Sequence, residues 1–443
     1  MAPRFGTDGI RGHAGTDLTT TIVRALGAAA VDALGADLPY LVARDTRESG
    51  LDFEIALIAG IEAAGGTARS LGVLPTPGLA GACAESGAPG AMISASHNPF
   101  FDNGVKLFEP GGRKLRDATE TAIEAALAAR LESFGSTPVG GDAPPIAAGA
   151  VTNYVARLVA AAGGGTPFSE LTVVVDCAHG AAFEAAPAAL RALGARVEVL
   201  NAAPDGRNIN DGCGSTHPAG LAREVVARGA DVGLAFDGDA DRVLAIDAHG
   251  ALVDGDHILA ILAVDLDAQG RLRHRAIATT VMANLGLTRA LAAHGIDLVV
   301  TPVGDRHVLA AMEDHDLVLG GEQSGHVIAS EHAMTGDGPL TGILVLDAMA
   351  RSGRPLHELA AVVTKFPQVL ENVRVADRDA LETATGFWDA VRRAEGALGE
   401  DGRVVVRPSG TEPVVRVMVE AVDSDTAARI ATELTAALHS ALG

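Results

Sequence analysis

The sequence predicts an α/β protein: three similar strand-then-helix units followed by a small α+β unit. Three observations carry this reading. Short apolar runs alternate with Ala-rich stretches of helical period, each apolar run ends in a polar, glycine-containing loop, and beyond Phe366-Pro367-Gln368 the pattern shifts to short alternating strands and charged helices. Uninterrupted apolar runs such as Leu171-Thr172-Val173-Val174-Val175 argue for largely parallel sheets covered on both faces. The three units suggest an old repetition without a fixed period. Their expected bounds are 1–148, 149–248 and 249–362, with 363–443 as the fourth unit. The Gly- and Pro-rich stretch from Gly135 to Pro145 breaks all periodicity and is the clearest boundary.

Composition sets the outer limits. With 443 residues, 48% hydrophobic and 20% charged, the chain can bury several cores. Cys83, Cys177 and Cys213 lack metal-ligand spacing, which predicts buried thiols in a reducing compartment and no disulfide framework. The start, Met1 to Gly6, has no apolar signal core, and the apolar run Ile258 to Val264 falls far short of the ~18 residues a membrane span needs, so a cytoplasmic protein is expected. The formal net charge of -22 repels nucleic acid and anionic membrane. An anionic ligand therefore requires a local pocket of Arg, Lys and backbone N–H groups. Lysine is nearly absent (Lys106, Lys114 and Lys365), which singles out Lys106.

In the first unit, the glycines of Phe5-Gly6-Thr7-Asp8-Gly9-Ile10-Arg11-Gly12 force a tight path that presents Arg11, a group able to grip phosphate. Leu38 to Ala43 reads as a strand ending at Arg44-Asp45-Thr46-Arg47, Glu54 to Ala64 as a helix, and Leu71 to Gly78 as a second strand and turn. A third apolar segment runs into Ala91-Met92-Ile93-Ser94-Ala95-Ser96-His97-Asn98-Pro99. Pro99 forbids a smooth helix, so the segment is a loop beyond a strand carboxyl end, where α/β folds hold ligands, and it displays the Ser96 hydroxyl among small neighbours. Asn103-Gly104 reads as a tight turn that swings Lys106 back toward Ser96 as an acid/base candidate. An amphipathic helix follows from about Ala118 to Leu131.

The second unit repeats the grammar with a helix near Val151 to Ala162 and a strand Leu171 to Val175, and its strand Asp231 to Ala235 runs into Phe236-Asp237-Gly238-Asp239-Ala240-Asp241-Arg242. Carboxylates at alternate positions repel one another unless a cation lies among them, and an all-oxygen set suits Mg²⁺. An EF-hand is excluded: Arg242 stands at its obligatory glycine and Ala248 at its closing glutamate. The third unit offers the strand Ala276 to Val281 and the loop Gly320-Gly321-Glu322-Gln323-Ser324-Gly325-His326, whose side chains suit the reading of sugar hydroxyls. In the fourth unit, Arg407-Pro408-Ser409-Gly410-Thr411-Glu412-Pro413, with Arg416 close behind, combines hydroxyls, amides and two guanidiniums into a phosphate cradle. No Walker A sequence is present, so this is phosphoryl recognition without a nucleotide P-loop.

These motifs occur in the order found in the α-D-phosphohexomutases, which the chain resembles over essentially its whole length. The opening motif, Gln323 and Phe366-Pro367-Gln368-Val369-Leu370 resemble those of the bacterial phosphoglucosamine mutases. Ala43, His179 and Ala283 depart from the family pattern, where Gly, Asn and Ser are usual. The resemblance implies three related α/β domains with mixed sheets and a TATA-binding-protein-like last domain around a central cleft. It also implies a phosphoserine at Ser96 and exchange of glucosamine 6-phosphate and glucosamine 1-phosphate through glucosamine 1,6-bisphosphate. Mg²⁺ would sit on Ser96, Asp237, Asp239 and Asp241. Arg11, Lys106 and His326 would share acid and base duties. Glu322, Gln323, Ser324, Arg242, Arg407, Ser409, Gly410, Thr411 and Arg416 would bind substrate. The partner expected is a small sugar phosphate, with a homodimer as the candidate assembly. Competing readings are a phosphomannomutase or phosphoglucomutase, an aspartyl phosphatase acting through Asp237, and a silent sugar-phosphate sensor.

Overall fold

The computed structural model describes residues 3–6, 8–135, 139–408 and 414–442, and contains four sheets. The first holds β1 (Ile10–His13), β2 (Tyr40–Arg44), β3 (Ala68–Val73), β4 (Gly90–Ile93), β5 (Asp102–Glu109) and β6 (Arg113–Lys114), in the order β1-β5-β4-β2-β3 with β6 on β5. The second holds β7 (Thr172–Asp176), β8 (Arg196–Leu200), β9 (Val232–Phe236), β10 (Val243–Asp247) and β11 (Leu252–Val253), ordered β11-β10-β9-β7-β8. The third holds β12 (Ala276–Thr280), β13 (Asp297–Thr301), β14 (Leu319–Gly321) and β15 (Val327–Ala329), ordered β13-β12-β14-β15. The last is β16 (Gln368–Arg374), β17 (Gly402–Pro408) and β18 (Val414–Ala421), ordered β16-β18-β17 and wholly antiparallel.

The first three sheets share one plan. In each, a parallel trio (β3-β2-β4, β8-β7-β9, β13-β12-β14) is followed by an antiparallel strand (β5, β10, β15) on the last of the three. The sheets are therefore mixed. The connection into that antiparallel strand is short, because a hairpin needs no crossover helix. It is the same connection that carries the serine loop in the first unit, the aspartate loop in the second and the Glu322 loop in the third. Strand β11, which a boundary at 248/249 assigns to the third unit, pairs with β10 in the second sheet.

Two local expectations change. Asn103-Gly104 lies inside β5 and makes no turn; the chain reverses at Pro99–Asp102, where the Asp102 N–H donates to the Pro99 carbonyl at 3.1 Å. A side chain at Gly104 would meet the Ser94 carbonyl at 2.7 Å, so close strand packing explains the glycine. Lys106 still comes to β4, opposite Met92. Thr76–Ser86 is a helix where the sequence reads as a turn, because Pro77 is tolerated in the first helical turn, where its missing N–H has no partner to lose.

One apolar core runs through all three α/β units, from Met92 and Phe108 through Val173 and Phe236 to Ile277 and Leu346. The last unit keeps a core of its own around Val415, Val417, Phe387 and Leu434. It is tied to the third unit by Glu420, buried in β18, which accepts from the Asn284 side chain at 3.1 Å and the Leu285 N–H at 3.0 Å. Cys83, Cys177 and Cys213 are buried free thiols. Among the described residues no helix is long and apolar enough to cross a membrane.

The second and third units are joined by the Tyr154 hydroxyl, which donates to Asp337 at 2.8 Å, while Asp337 caps the helix Gly338–Ser352 by accepting from the Leu340 N–H. Burial pushes the Asp337 carboxyl up to about 6. A folded state that holds this proton above the ordinary carboxylate range is favoured at low pH, and the contribution is lost as pH rises from about 4 to about 6. An asparagine at this position would keep the cap without titrating. The melting temperature of Asp337→Asn relative to wild type should therefore climb between pH 4 and 6.5 and then level off; a flat difference across that range would contradict the assignment.

Candidate active site

The serine loop is built around one guanidinium. Arg47, fully buried, donates from Nε to Asp45 at 2.9 Å, from Nη2 to the carbonyls of Ser96 (2.9 Å) and Asn98 (2.8 Å), and from Nη1 to those of Asp102 (2.8 Å) and Pro99. Asn210, from the second unit, adds its side-chain amide to the Ser96 carbonyl at 2.9 Å. Ser94 Oγ accepts from the Ser96 N–H and donates to Asp45 at 2.6 Å. With its flanks fixed, Ser96 is held at a left-handed φ of 52°, a conformation costing on the order of 1–2 kcal/mol that persists only where surroundings over-determine it. Its hydroxyl is thereby aimed at Asp237, to whose Oδ2 it donates at 2.5 Å.

Asp237, Asp239 and Asp241 follow β9, with Ala240 also left-handed at φ 58°. Gly238 is required there: a Cβ would stand 2.5 Å from the Ser96 carbonyl. All three carboxylates are buried, and each offers a ligand oxygen within 4.8 Å of the others. Oδ1 of Asp239 and Oδ1 of Asp241 are buried without a hydrogen-bond donor among the described residues. Burial, together with the charges of Asp241 and Asp239, holds the Asp237 carboxyl well above its usual range. Two orphaned oxygens and mutual repulsion are what a small hard cation relieves, so the donor set fits Mg²⁺.

Around this triad lies an ion network. Lys106 Nζ reaches Asp239 (2.7 Å), Asp241 (3.3 Å) and Asp8 (2.7 Å). Against its burial, these three carboxylates hold Lys106 protonated well above the ordinary range. Lys114 bridges Asp8 at 2.8 Å and Asp305. Arg11 grips Asp8 at 2.5 Å and the Ala95 carbonyl at 3.2 Å. His326 is buried with both ring nitrogens engaged: Nε2 accepts from the Gly336 N–H at 3.1 Å and lies 3.4 Å from Asp305, while Nδ1 lies 3.7 Å from Asp241. His97 accepts from Arg242 at 3.3 Å. Burial, then the charges of Arg242 and Arg11, push the His97 ring down to about 4, so it is neutral.

The Glu322 loop joins the aspartate loop through the Val243 N–H, which donates to the Gly325 carbonyl at 3.1 Å. Glu322, Gln323 and Ser324 are half-buried, and the charge of Glu322 acts on both Arg242 and Arg407. Ser324 Oγ is buried with no partner among the described residues. Arg407 and Arg416 face each other across β17 and β18, and burial together with Arg416 lowers the Arg407 pKa, an arrangement that an anion between the two would relieve. Ser409, Gly410 and Thr411 lie outside the described residues. Arg47, Asp8, Lys114, Asp305, His97 and Asn210 were not singled out by their local sequence. Asp8 and Asp305 stand in Gly-containing turns, and Arg47 lies in the loop that follows β2, which are the signals that could have found them.

A cavity of about 940 Å³ lies elsewhere in the first unit, among His13, Thr19, Glu48, Asp52 and Phe101. It contains none of these groups, so the chemistry is assigned to the converging loops.

Residues 2–133, 153–250 and 254–366 match phosphoglucomutase/phosphomannomutase alpha/beta/alpha domains I, II and III, and residues 370–437 match the C-terminal domain. The chain belongs to the phosphoglucomutase/phosphomannomutase family. Within it, the chain is 48% identical to a phosphoglucosamine mutase of Rhodococcus opacus, covering 99% of this chain and 100% of that one. It is 49% identical to one of Salinispora tropica, covering 100% and 99%. A family protein from Burkholderia thailandensis superposes with a TM-score of 0.79 at 25% identity, covering 98% of this chain and 97% of that one. At 20% identity, an Aspergillus fumigatus N-acetylphosphoglucosamine mutase crystallised with GlcNAc-6P and magnesium shares the fold (TM-score 0.67; 99% and 96% covered).

In this family member, Arg47→Met should leave the buried Asp45 without its guanidinium and take one donor from each of four loop carbonyls. Breaking a buried pair of this kind costs about 3–5 kcal/mol. Arg47→Lys should recover only part of it, since an ammonium cannot span the same fork. Chemical denaturation of both variants, with turnover measured under native conditions, checks this. Wild-type stability in Arg47→Met would refute the loop's dependence on the guanidinium.

Proposed function

We propose that this family member is a phosphoglucosamine mutase, interconverting glucosamine 6-phosphate and glucosamine 1-phosphate through a phosphorylated Ser96. The observation that carries the reading is the buried 2.5 Å contact between Ser96 Oγ and Asp237 within a triad of carboxylates that fits a divalent cation. A serine hydroxyl is a weak nucleophile, and it becomes a workable phosphoryl carrier only where charge on the transferring group is stabilised. Mg²⁺ on Asp237, Asp239, Asp241 and Ser96 would supply that stabilisation.

The rest of the reaction falls to the chain's own groups. The bond from phosphorus to Ser96 Oγ breaks as a bond forms to the C1 oxygen of the sugar, the C1 hydroxyl losing its proton. The resulting 1,6-bisphosphate turns over, and its C6 phosphate is returned to Ser96, freeing the 1-phosphate. Arg11, on the Ala95 carbonyl, and Lys106, on Asp8, Asp239 and Asp241, balance charge beside the serine, and the proton of the C1 hydroxyl passes into this cluster of carboxylates. His326, with both ring nitrogens engaged, is the holder of Asp241 rather than a free base. Glu322, Gln323 and Ser324 read the sugar, and Arg242 contacts its phosphoryl group. Arg407, Arg416 and the Ser409-Gly410-Thr411 segment between them retain the phosphate that is not reacting. The four-unit division, with the boundary at 248 moved past β11, a cytoplasmic location and self-association as a homodimer are part of the same proposal.

A coupled assay with glucosamine, glucose and mannose 6-phosphates, primed with the matching bisphosphate, tests it. Glucosamine 6-phosphate should give the highest kcat/KM. Activity should vanish on exhaustive chelation and return with Mg²⁺. A preference for mannose 6-phosphate would move the enzyme to the phosphomannomutases, and full activity without metal would overturn the role of the triad.

A further inference from the structure

Asp256 is absent from every motif above, yet it lies directly behind the sugar-reading loop. It sits in the first turn of the helix Gly255–Ala268 and is completely buried. That helix start is pressed against the loop: the Gly255 N–H donates to the Gln323 carbonyl at 3.0 Å, and a Cβ at Gly255 would meet the Glu322 carbonyl at 2.1 Å. Asp256 Oδ2 accepts two hydrogen bonds, from the Asn284 N–H at 2.9 Å and from Gln323 Nε2 at 3.0 Å. Asn284 is fixed in turn, exchanging hydrogen bonds with Phe366 and donating to Glu420. The acceptor behind Gln323 thus belongs to a buried frame that spans the third and fourth units.

The chemistry of that acceptor decides which way the Gln323 amide faces. An ionised carboxylate only accepts, so the NH₂ end of Gln323 must point to Asp256 and the carbonyl Oε1 must point away from it. Burial pushes Asp256 up to about 6, which leaves it ionised at neutral pH. Gln323 Oε1 takes no hydrogen bond from any described residue, and the side chain is half-exposed beside Glu322 and Ser324. A glutamine free to rotate would offer donor or acceptor equally. This one offers an acceptor, backed by a negative charge one hydrogen bond behind it. The ligand group matched to that arrangement is a cationic donor. A protonated amine is cationic at neutral pH, and a charge-assisted hydrogen bond is roughly twice as strong as a neutral one.

We propose that Asp256 is the positioning residue for amino-sugar specificity: by holding the NH₂ of Gln323 it turns the Gln323 carbonyl toward the 2-ammonium group of the substrate. The inference rests on the phosphoglucosamine mutase reading and adds to it the residue that sets the preference.

The test measures kcat and KM for glucosamine 6-phosphate and glucose 6-phosphate in the intact enzyme, wild type against Asp256→Ala, Asp256→Asn and Gln323→Met. Asp256→Ala removes the acceptor and should lower the glucosamine-to-glucose ratio of kcat/KM at least tenfold, mostly through KM for glucosamine 6-phosphate. Asp256→Asn keeps an oxygen able to take both N–H groups but loses the charge, so its ratio should fall between those of wild type and Asp256→Ala. A purely structural role would depress both sugars alike, and that outcome overturns the proposal, as does a ratio unchanged in Asp256→Ala or an Asp256→Asn as impaired as the alanine variant. Should Asp256→Ala not fold, Gln323→Met must show the same tenfold fall, and an unchanged ratio there overturns the proposal equally. A wild-type preference for glucose 6-phosphate overturns the function and this inference together, whereas a glucosamine preference that survives Asp256→Ala overturns the inference alone.

Discussion

A single guanidinium, that of Arg47, organises the loop on which the chemistry depends. A segment of irregular backbone buried between two units must find donors for its carbonyls, and no sheet ladder reaches them. Arg47 supplies donors to four, and Asp45 balances its charge from inside the same pocket. The left-handed conformation of Ser96 is a consequence of that clamp rather than of any local preference. Without it the hydroxyl would have no reason to rest 2.5 Å from an aspartate that lies 141 residues further along the chain. Asn210 adds a donor from the second unit, so the loop is shared across the interface that the cation would bridge.

Repetition explains how the remaining groups arrive at one place. Each α/β unit ends its parallel trio in a hairpin to an antiparallel strand, and each hairpin carries one part of the site: Ser96, the aspartate triad, or Glu322 to His326. The last unit presents Arg407 and Arg416, opposed across β17 and β18, with Arg407 in the field of Glu322. Converging loops concentrate charge. Asp8, Asp237, Asp239, Asp241 and Asp305 share one region with Arg11, Lys106, Lys114 and Arg242, and among the described residues Oδ1 of Asp239 and Oδ1 of Asp241 are left without a hydrogen-bond donor. A divalent ion and an anionic substrate together meet both sides of that imbalance, in a protein whose net charge of -22 would otherwise repel phosphate.

Much of this was legible in sequence because the decisive groups are contiguous. Ser96 in its small-residue loop and three aspartates at alternate positions carry their meaning locally. The fold class followed from apolar runs and helical spacing, and the change of texture past Phe366 marked the last unit. What stayed hidden is non-local. Arg47 acts on carbonyls some 50 residues away, Asp256 on a side chain 67 residues away, and neither distance leaves a trace in the chain around it. Asn103-Gly104 misled for a physical reason, since a glycine needed for close approach of neighbouring strands looks the same as one needed for a turn. His326 stood out in the sequence as a candidate, but only the structure reveals that the Gly336 N–H and two aspartates occupy its ring.

The central claim is that the loop held by Arg47 makes Ser96 the carrier of the phosphoryl group. Intact-mass analysis of the purified protein after incubation with sugar 1,6-bisphosphate, followed by peptide mapping, tests it most directly. The account predicts a fraction heavier by one phosphoryl group, located on Ser96 and absent from Ser96→Ala. Phosphate trapped on Asp237, or an alanine variant that still acquires the label and turns over substrate, would contradict it.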